Sequence, residues 1–381
     1  MNKIALAAAV AAVLSSYGAA ASAQTAPPAA APAAPAAPSL GAVLAATPGL
    51  SLTGYVAATY SYFDDRTPLL RLYSGSRNSF QVPQAALTAA YLPTDGFGAQ
   101  ITAIAGSDAK VLRQGETWPS NSTSSQFDLN NAFVQYASGP LTVMAGKFST
   151  LAGAEVLNPA NDNEISRSLL FWNMEPGTHT GVRAAYAVDP ALTLTAGVNN
   201  GWNFTSAPAG TGKTLELGAS GSPNKLFSYS AAYYHGQSPL YGGSGTGVLQ
   251  LLDLVGTLNA TDALSFAANV DILQKDDYAG PGTGTGKANG VALYANYALT
   301  EQWTVSARGE YIDDKQGIVS GTAGANKLKE ATLALTYAPI KAVKLMAEVR
   351  QDRSDQAIFT DTSGNSTTKQ TSLQLQAVYS F

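Results

Sequence analysis

The stretch "SLQLQAVYSF", residues 372–381, alternates apolar and polar side chains almost without a break. Leu373, Leu375, Ala377, Tyr379 and Phe381 fall on one face. Ser372, Gln374, Gln376 and Ser380 fall on the other, with Val378 an exception. Successive side chains of a strand point to opposite faces, so a period of two predicts a strand with one apolar and one polar face.

The same period recurs upstream. In "AVKLMAEVRQ", Val343, Leu345, Ala347 and Val349 oppose Lys344, Met346, Glu348 and Arg350. In "WTVSARGEY", Trp303, Val305, Ala307 and Tyr311 oppose Thr304, Ser306, Arg308 and Glu310. In "LSFAANVDI", Leu264, Phe266, Ala268, Val270 and Ile272 oppose Ser265, Asn269 and Asp271. "LTLTAGVNN" sets Leu192, Leu194, Ala196 and Val198 against Thr193, Thr195 and Asn199.

Connections between such segments alternate in length. Short ones fall at Pro93–Gly96, Ser138–Pro140, Val188–Pro190, Gly221–Asn224, Asn259–Asp262, Leu299–Gln302 and Ala338–Lys341. Long, polar, Gly-rich ones fall at 64–78, 107–125, 148–176, 201–213, 237–247, 275–288, 313–327 and 352–368. Strands of about ten residues, joined by short turns at one end and long loops at the other, mark a transmembrane β-barrel. The predicted fold is all-β, an antiparallel up-and-down barrel of about 16 strands, within a range of 14–18. Closure follows because an open edge in lipid leaves backbone groups unpaired. Tyr60, Tyr62, Tyr91, Tyr186, Tyr297, Trp303, Tyr311, Tyr337, Tyr379 and Phe381 near strand ends are expected in interfacial girdles. A soluble sandwich would also alternate. Against it stand the number of strands, too many for a small filled barrel, and charges on the polar face that need water.

Composition agrees. Of the 381 residues, 45% are hydrophobic and 13% charged, with 36 Gly, 18 Tyr and no Cys; a soluble domain carries about 25% charge. The formal charge of −4 gives no sign of nucleic-acid binding. "MNK", the apolar "IALAAAVAAVL" and "ASA" before Gln24 predict a signal peptide over 1–23. The Pro/Ala tract that follows cannot build a core, so 24–50 is expected to be a mobile periplasmic leader and 51–381 the barrel.

"SAPAGTGKTLELG", 206–218, contains A-x-x-x-x-G-K-T, close to a phosphate-binding loop. Such a loop must follow a buried strand and open a helix. Here a two-faced strand precedes it, and Leu215 and Leu217 alternate with Glu216 and Gly218 after it. The match is therefore expected to be a coincidence of loop composition, with Lys213 a rim charge.

The terminal Tyr379-Ser380-Phe381 resembles the assembly signal of outer-membrane proteins, which implies recognition by the barrel assembly machinery. Residues 146–186 resemble the beta-barrel porin family of Gram-negative outer membranes. Gly146-Lys147-Phe148, Gly153 with Glu155, Ser166-Arg167-Ser168, Pro176 and His179-Thr180-Gly181-Val182-Arg183 carry that resemblance. It implies an outer-membrane diffusion channel for small hydrophilic solutes or ions, in contact with lipid and lipopolysaccharide. By analogy it implies a homotrimer. It also implies that the third long loop, with Glu155, Asp162, Glu164 and Arg167, bends into the barrel.

Two readings of the loop charges stay open. In one, the acidic groups oppose Arg183, Arg167 and Lys147 across an eyelet, and the transverse field orients solutes. In the other, they are salt bridges holding the loop. Strand phase turns His179 and Arg183 to the lumen; Lys147 is ambiguous because its strand is apolar on both faces. Asp271, Arg308, Glu310, Glu348 and Arg350 complete the expected pore lining. Tyr233 or Tyr234 and Tyr294 are candidates for an aromatic slide. Arg66, Arg71 and Arg77 lie in the first long loop, either solvated or at the mouth. No catalytic, metal or cofactor motif is legible: neither His179 nor His235 sits in a G-x-S-x-G context, and the acidic, Gly-rich 276–287 is read as a loop. A structural or adhesive barrel, and more remotely a hydrolase, are the alternatives to a channel.

Overall fold

A computed structural model describes residues 46–71, 73–116, 125–171, 173–241 and 247–381. The expected signal peptide and most of the 24–50 leader lie outside the described residues.

The first half of the chain contributes β1 (Leu50–Phe63), β2 (Ser79–Tyr91), β3 (Gly96–Ala105), β4 (Phe127–Ser138), β5 (Leu141–Ser149), β6 (Thr178–Asp189), β7 (Leu192–Asn199) and β8 (Thr214–Gly221). The second half contributes β9 (Phe227–Gln237), β10 (Val248–Asn259), β11 (Leu264–Asp276), β12 (Thr285–Ala298), β13 (Trp303–Asp314), β14 (Asn326–Ile340) and β15 (Val343–Ser354). A two-residue hairpin, β16 (Phe359–Thr360) and β17 (Ser366–Thr367), sits in the last long loop, and β18 (Lys369–Ser380) follows it. All strands except that hairpin join one closed antiparallel barrel, each paired to its neighbour in sequence, with β1 against β18.

Strand phase follows the alternation. On β18, Leu373 and Leu375 are each 48% exposed on the outer surface, whereas Gln374 is 1% exposed. Val378 breaks the polar run because it packs inward against Tyr55, Ala57 and Ala86. Outside, Trp303 of β13 stacks on Tyr337 of β14 at 4.5 Å between ring centres. The seam runs from Tyr55 opposite Ser380 to Phe63 opposite Ser372. It is extended by Gly54 and Phe381, which exchange both backbone hydrogen bonds, at 3.0 and 2.9 Å. A Cβ on Gly54 would lie 2.5 Å from the Phe381 ring and 2.6 Å from the Ala86 carbonyl, so only glycine lets this aromatic close the seam.

Two expectations need correction. Residues 107–125 are not wholly loop: α1 (Ser107–Glu116) forms there, with Asp108 in its first turn and Arg113 in its last, where they complement the helix dipole. Ala109 and Leu112, three apart, bury one face against the cluster around Tyr73 and Phe171. Nor is the polar face polar throughout. Leu249 and Leu251 of β10, Leu273 of β11, Ile312 of β13 and Leu328 of β14 are buried in one apolar cluster with Leu169, Leu170 and Met174 of the third long loop. That loop, 150–177, supplies apolar side chains that cover them.

The segment at 206–218 forms no phosphate cradle. Thr214 starts β8, Leu215 is exposed on the outer face, and Lys213 Nζ donates to Asn200 Oδ1 at 2.6 Å.

Candidate functional site

Inside the barrel, β13, β14, β15 and β18 present adjacent polar rows. The register sets Arg308 opposite Thr332, Glu310 opposite Glu330, Glu330 opposite Asp352, and Arg350 opposite Ser372. Like charges placed directly opposite repel, so the arginines one step along the row are what make the arrangement tenable. Arg308 lies 3.3 Å from both Glu310 and Glu330; Arg350 lies 3.6 Å from Glu330 and 2.7 Å from Asp352.

Long loops extend this network at both ends. Arg71, from the first loop, reaches Asp352 at 2.5 Å and Ser372 Oγ at 2.5 Å. Glu155, from the third loop, reaches Arg308 at 2.6 Å. A continuous run of ion pairs therefore joins two loops across three wall strands, with Arg71, Arg308 and Arg350 each no more than 5% exposed.

The third loop is held by its backbone as well. Glu348 accepts from the N–H groups of Ile165 (2.5 Å) and Ser166 (3.1 Å), and Glu310 from those of Leu169 (2.7 Å) and Leu170 (3.2 Å). Arg350 donates to the Arg167 carbonyl at 2.5 Å and to Ser166 Oγ at 3.1 Å. Lys344 donates to the carbonyls of Ala160 and Asp162. These are charge-assisted hydrogen bonds, roughly twice as strong as neutral ones. Within the loop, Arg167 ties its own strand ends together, donating to Val156, Leu157 and Ile165 carbonyls and pairing with Asp162 at 2.9 Å. A cavity of about 150 Å³ remains between the loop, Tyr73, Leu112 and Asn130.

The residues named from sequence fall into two sets. Glu155, Asp162, Glu164, Arg167, Arg308, Glu310, Glu348 and Arg350 meet at the loop. The others do not. Arg183 faces inward, but its guanidinium makes a fork with Glu216 of β8 at 2.5 and 2.9 Å and lies 4.2 Å over the Phe148 ring; it opposes no acidic group of the loop. Lys147 is buried against Asp128 of β4 at 3.0 Å. His179 does not face water: its Nδ1 lies 3.2 Å from the Gly201 carbonyl and its ring stacks on Tyr234. Tyr234 and Tyr294 are buried inside, whereas Tyr233 is paired with the outward Leu217 and bonds Gln250. Arg71 is not a surface loop charge but part of the buried network; Arg77 donates to the Phe63 carbonyl. Asp271 stands beside Asp253 and Glu175, all three buried. Sequence reading missed Glu330 and Asp352. Asp352 was within reach, because the alternation of β15 continues two residues past Arg350.

Buried acids outnumber buried bases by about two to one among the described residues. Three acids outside the strands carry the consequence. Burial, with Glu155, Glu348 and Asp162 nearby, pushes the Glu164 carboxyl up to about 8 against the pull of Arg308. Burial raises Asp162 to about 6, opposed by Arg167. Burial raises Asp108 of α1 to about 7, opposed by its Gln84 hydrogen bond.

Comparison with known proteins gives a family and a set of folds. The family model described as "Putative beta-barrel porin-2, OmpL-like" matches residues 49–381. No curated protein matches the chain by sequence. Among solved structures, OmpT of Vibrio cholerae in its trimer form is 12% identical, with a TM-score of 0.60 over 87% of this chain and 99% of that one. The outer membrane channel DcaP of Acinetobacter baumannii is 16% identical, TM-score 0.59, over 87% and 97%. An anion-selective porin from Comamonas acidovorans is 13% identical, TM-score 0.57, over 87% and 99%.

Proposed function

Because the chain belongs to the OmpL-like beta-barrel porin-2 family and is an outer-membrane channel protein, we propose that it passes small hydrophilic solutes and prefers cations to anions. The excess of acids inside the barrel carries this reading: those that are ionised place negative charge along a narrow path, which concentrates cations and excludes anions. The Comamonas porin is anion-selective; the charge balance here argues for the opposite preference. Reversal potentials across a planar bilayer in a salt gradient test it. A potential of the sign set by anion flow would overturn it.

The pore-lining groups in this proposal are Glu155, Asp162, Glu164 and Arg167 of the inserted loop and Arg308, Glu310, Glu348 and Arg350 of the wall against it. Lys147, His179, Arg183 and Asp271 stand behind it as wall supports. Residues 1–23 direct export, 24–50 form the periplasmic leader, and Tyr379 and Phe381 are read by the assembly machinery. The working unit is a homotrimer, for which the trimeric neighbour is supporting analogy. Catalysis forms no part of the role: His179 Nδ1 meets a backbone carbonyl and His235 Nδ1 meets Tyr233 Oη, so neither is placed to activate a serine. The dense packing of the third loop favours one second reading, a structural or adhesive barrel. A purified, folded barrel with no single-channel conductance would select it.

A further inference from the structure

Asp253 of β10 and Asp271 of β11 stand directly opposite each other and both point inward. Glu175, near the end of the third loop, points into the same spot. Oxygens of all three carboxylates lie within 4.8 Å of one another, and the residues are 0%, 0% and 2% exposed. Both oxygens of Glu175, both of Asp271 and Oδ1 of Asp253 have no hydrogen-bond donor. The remaining oxygen, Asp253 Oδ2, accepts from Asn269 Nδ2 at 2.7 Å. None of the three acids joins an ion pair among the described residues, and the charged groups acting on Glu175 are Asp253, Asp271, Glu155 and Glu310, all acids.

This differs from the rest of the interior. The buried carboxylates of β13 to β15 have arginines threaded among them; here three carboxylates converge with none. A buried charge is normally paired or coordinates a metal. The surroundings also hold the acids together. The Ala154 N–H donates to Asn269 Oδ1 at 2.8 Å, which positions the Asn269 amide that donates to Asp253. Gly153, at φ +93°, leaves room that a side chain would take: a Cβ there would lie 2.3 Å from Glu175 Oε2.

We propose that Glu175, Asp253 and Asp271 bind a hard divalent cation, calcium by preference, which fastens the end of the third loop to the β10–β11 wall. Calcium takes six to eight oxygens at about 2.3–2.6 Å, so oxygens on opposite sides of one ion lie about 4.6–5.2 Å apart. The observed span fits. The five donor-free oxygens supply most of such a shell, and water supplies the rest. The cation also removes the repulsion that the register forces on Asp253 and Asp271. The assignment does not depend on which solutes the channel passes.

The test uses the full chain, refolded in detergent free of lipopolysaccharide and stripped of metal. Calcium is added alone and followed by equilibrium dialysis and by the thermal unfolding midpoint. The expected result is about one calcium per chain and a midpoint that rises with calcium concentration. Glu175→Gln, which changes only the loop, and Asp271→Asn should weaken binding by at least about tenfold and abolish the midpoint shift. Heat-modifiable gel mobility shows that each variant barrel has closed. Displacement of calcium by magnesium supports the assignment of a hard cation. If the intact chain binds no more calcium than Glu175→Gln, and its midpoint falls with rising pH regardless of calcium, shared protons hold the three acids and the proposal is overturned.

Discussion

Arg308 shows what a single side chain does here. It holds Glu155 at 2.6 Å and Glu310 and Glu330 at 3.3 Å. Removing one partner of a buried pair strands the other charge, at a cost of about 3–5 kcal/mol. Arg308→Ala should therefore release the loop, seen as larger single-channel conductance; unchanged conductance would show that the loop is held elsewhere. Glu164 sets a pH dependence. Its carboxyl is raised from an ordinary 4.5 to about 8, so the inserted loop binds its proton more tightly than a free loop would. That stabilisation is complete below about pH 4.5 and is lost as pH rises through about 8. Conductance should climb between pH 5 and 9, and Glu164→Gln should flatten the profile over the window set by that shift. At this scale the sequence was legible in part. Strand phase alone turns Arg308, Glu310, Glu348 and Arg350 inward. It could not name their partners: Glu155 is 153 residues from Arg308, and no period in the sequence spans that distance.

The third loop is the element that departs most from a polar connection. Leu169 and Leu170, at 2% and 0% exposure, sit in the apolar cluster of the wall while their N–H groups are taken by Glu310. Leu→Ala at a buried site costs about 2–5 kcal/mol, so L169A with L170A should loosen the loop without touching a charge. Trypsin cleavage after the buried Arg167 is the readout: fast cutting in the double variant and slow cutting in the parent. Equal rates would mean that charge alone holds the loop. The strands were readable because period two is local. The inward leucines at 249, 251 and 273 were not, since they make sense only against loop residues some 80–100 positions away. α1 was hidden by brevity, although Ser107-Asp108 with Ala109 and Leu112 carried a start signal and a one-face pattern.

For the whole molecule, closure rests on one seam. Gly54→Val would push a side chain into the Phe381 ring and the Ala86 carbonyl. Overpacking of this kind costs about 1–3 kcal/mol, so the variant should unfold at lower urea in detergent than the parent; an unchanged midpoint would mean the seam relaxes around it. The loop's partners also impose a chronology. Every charged wall group that hydrogen-bonds to residues 160–170 lies on β13 to β15, beyond Trp303. Until β13 to β15 are in place, residues 160–170 lack these charged anchors. The charged part of the loop's seat is therefore complete only once those strands have formed. Without them the loop would keep only its contacts to earlier strands, such as those of Leu151 with Tyr234 and Ala154 with Asn269, and its longest polar stretch would stand loose in the lumen.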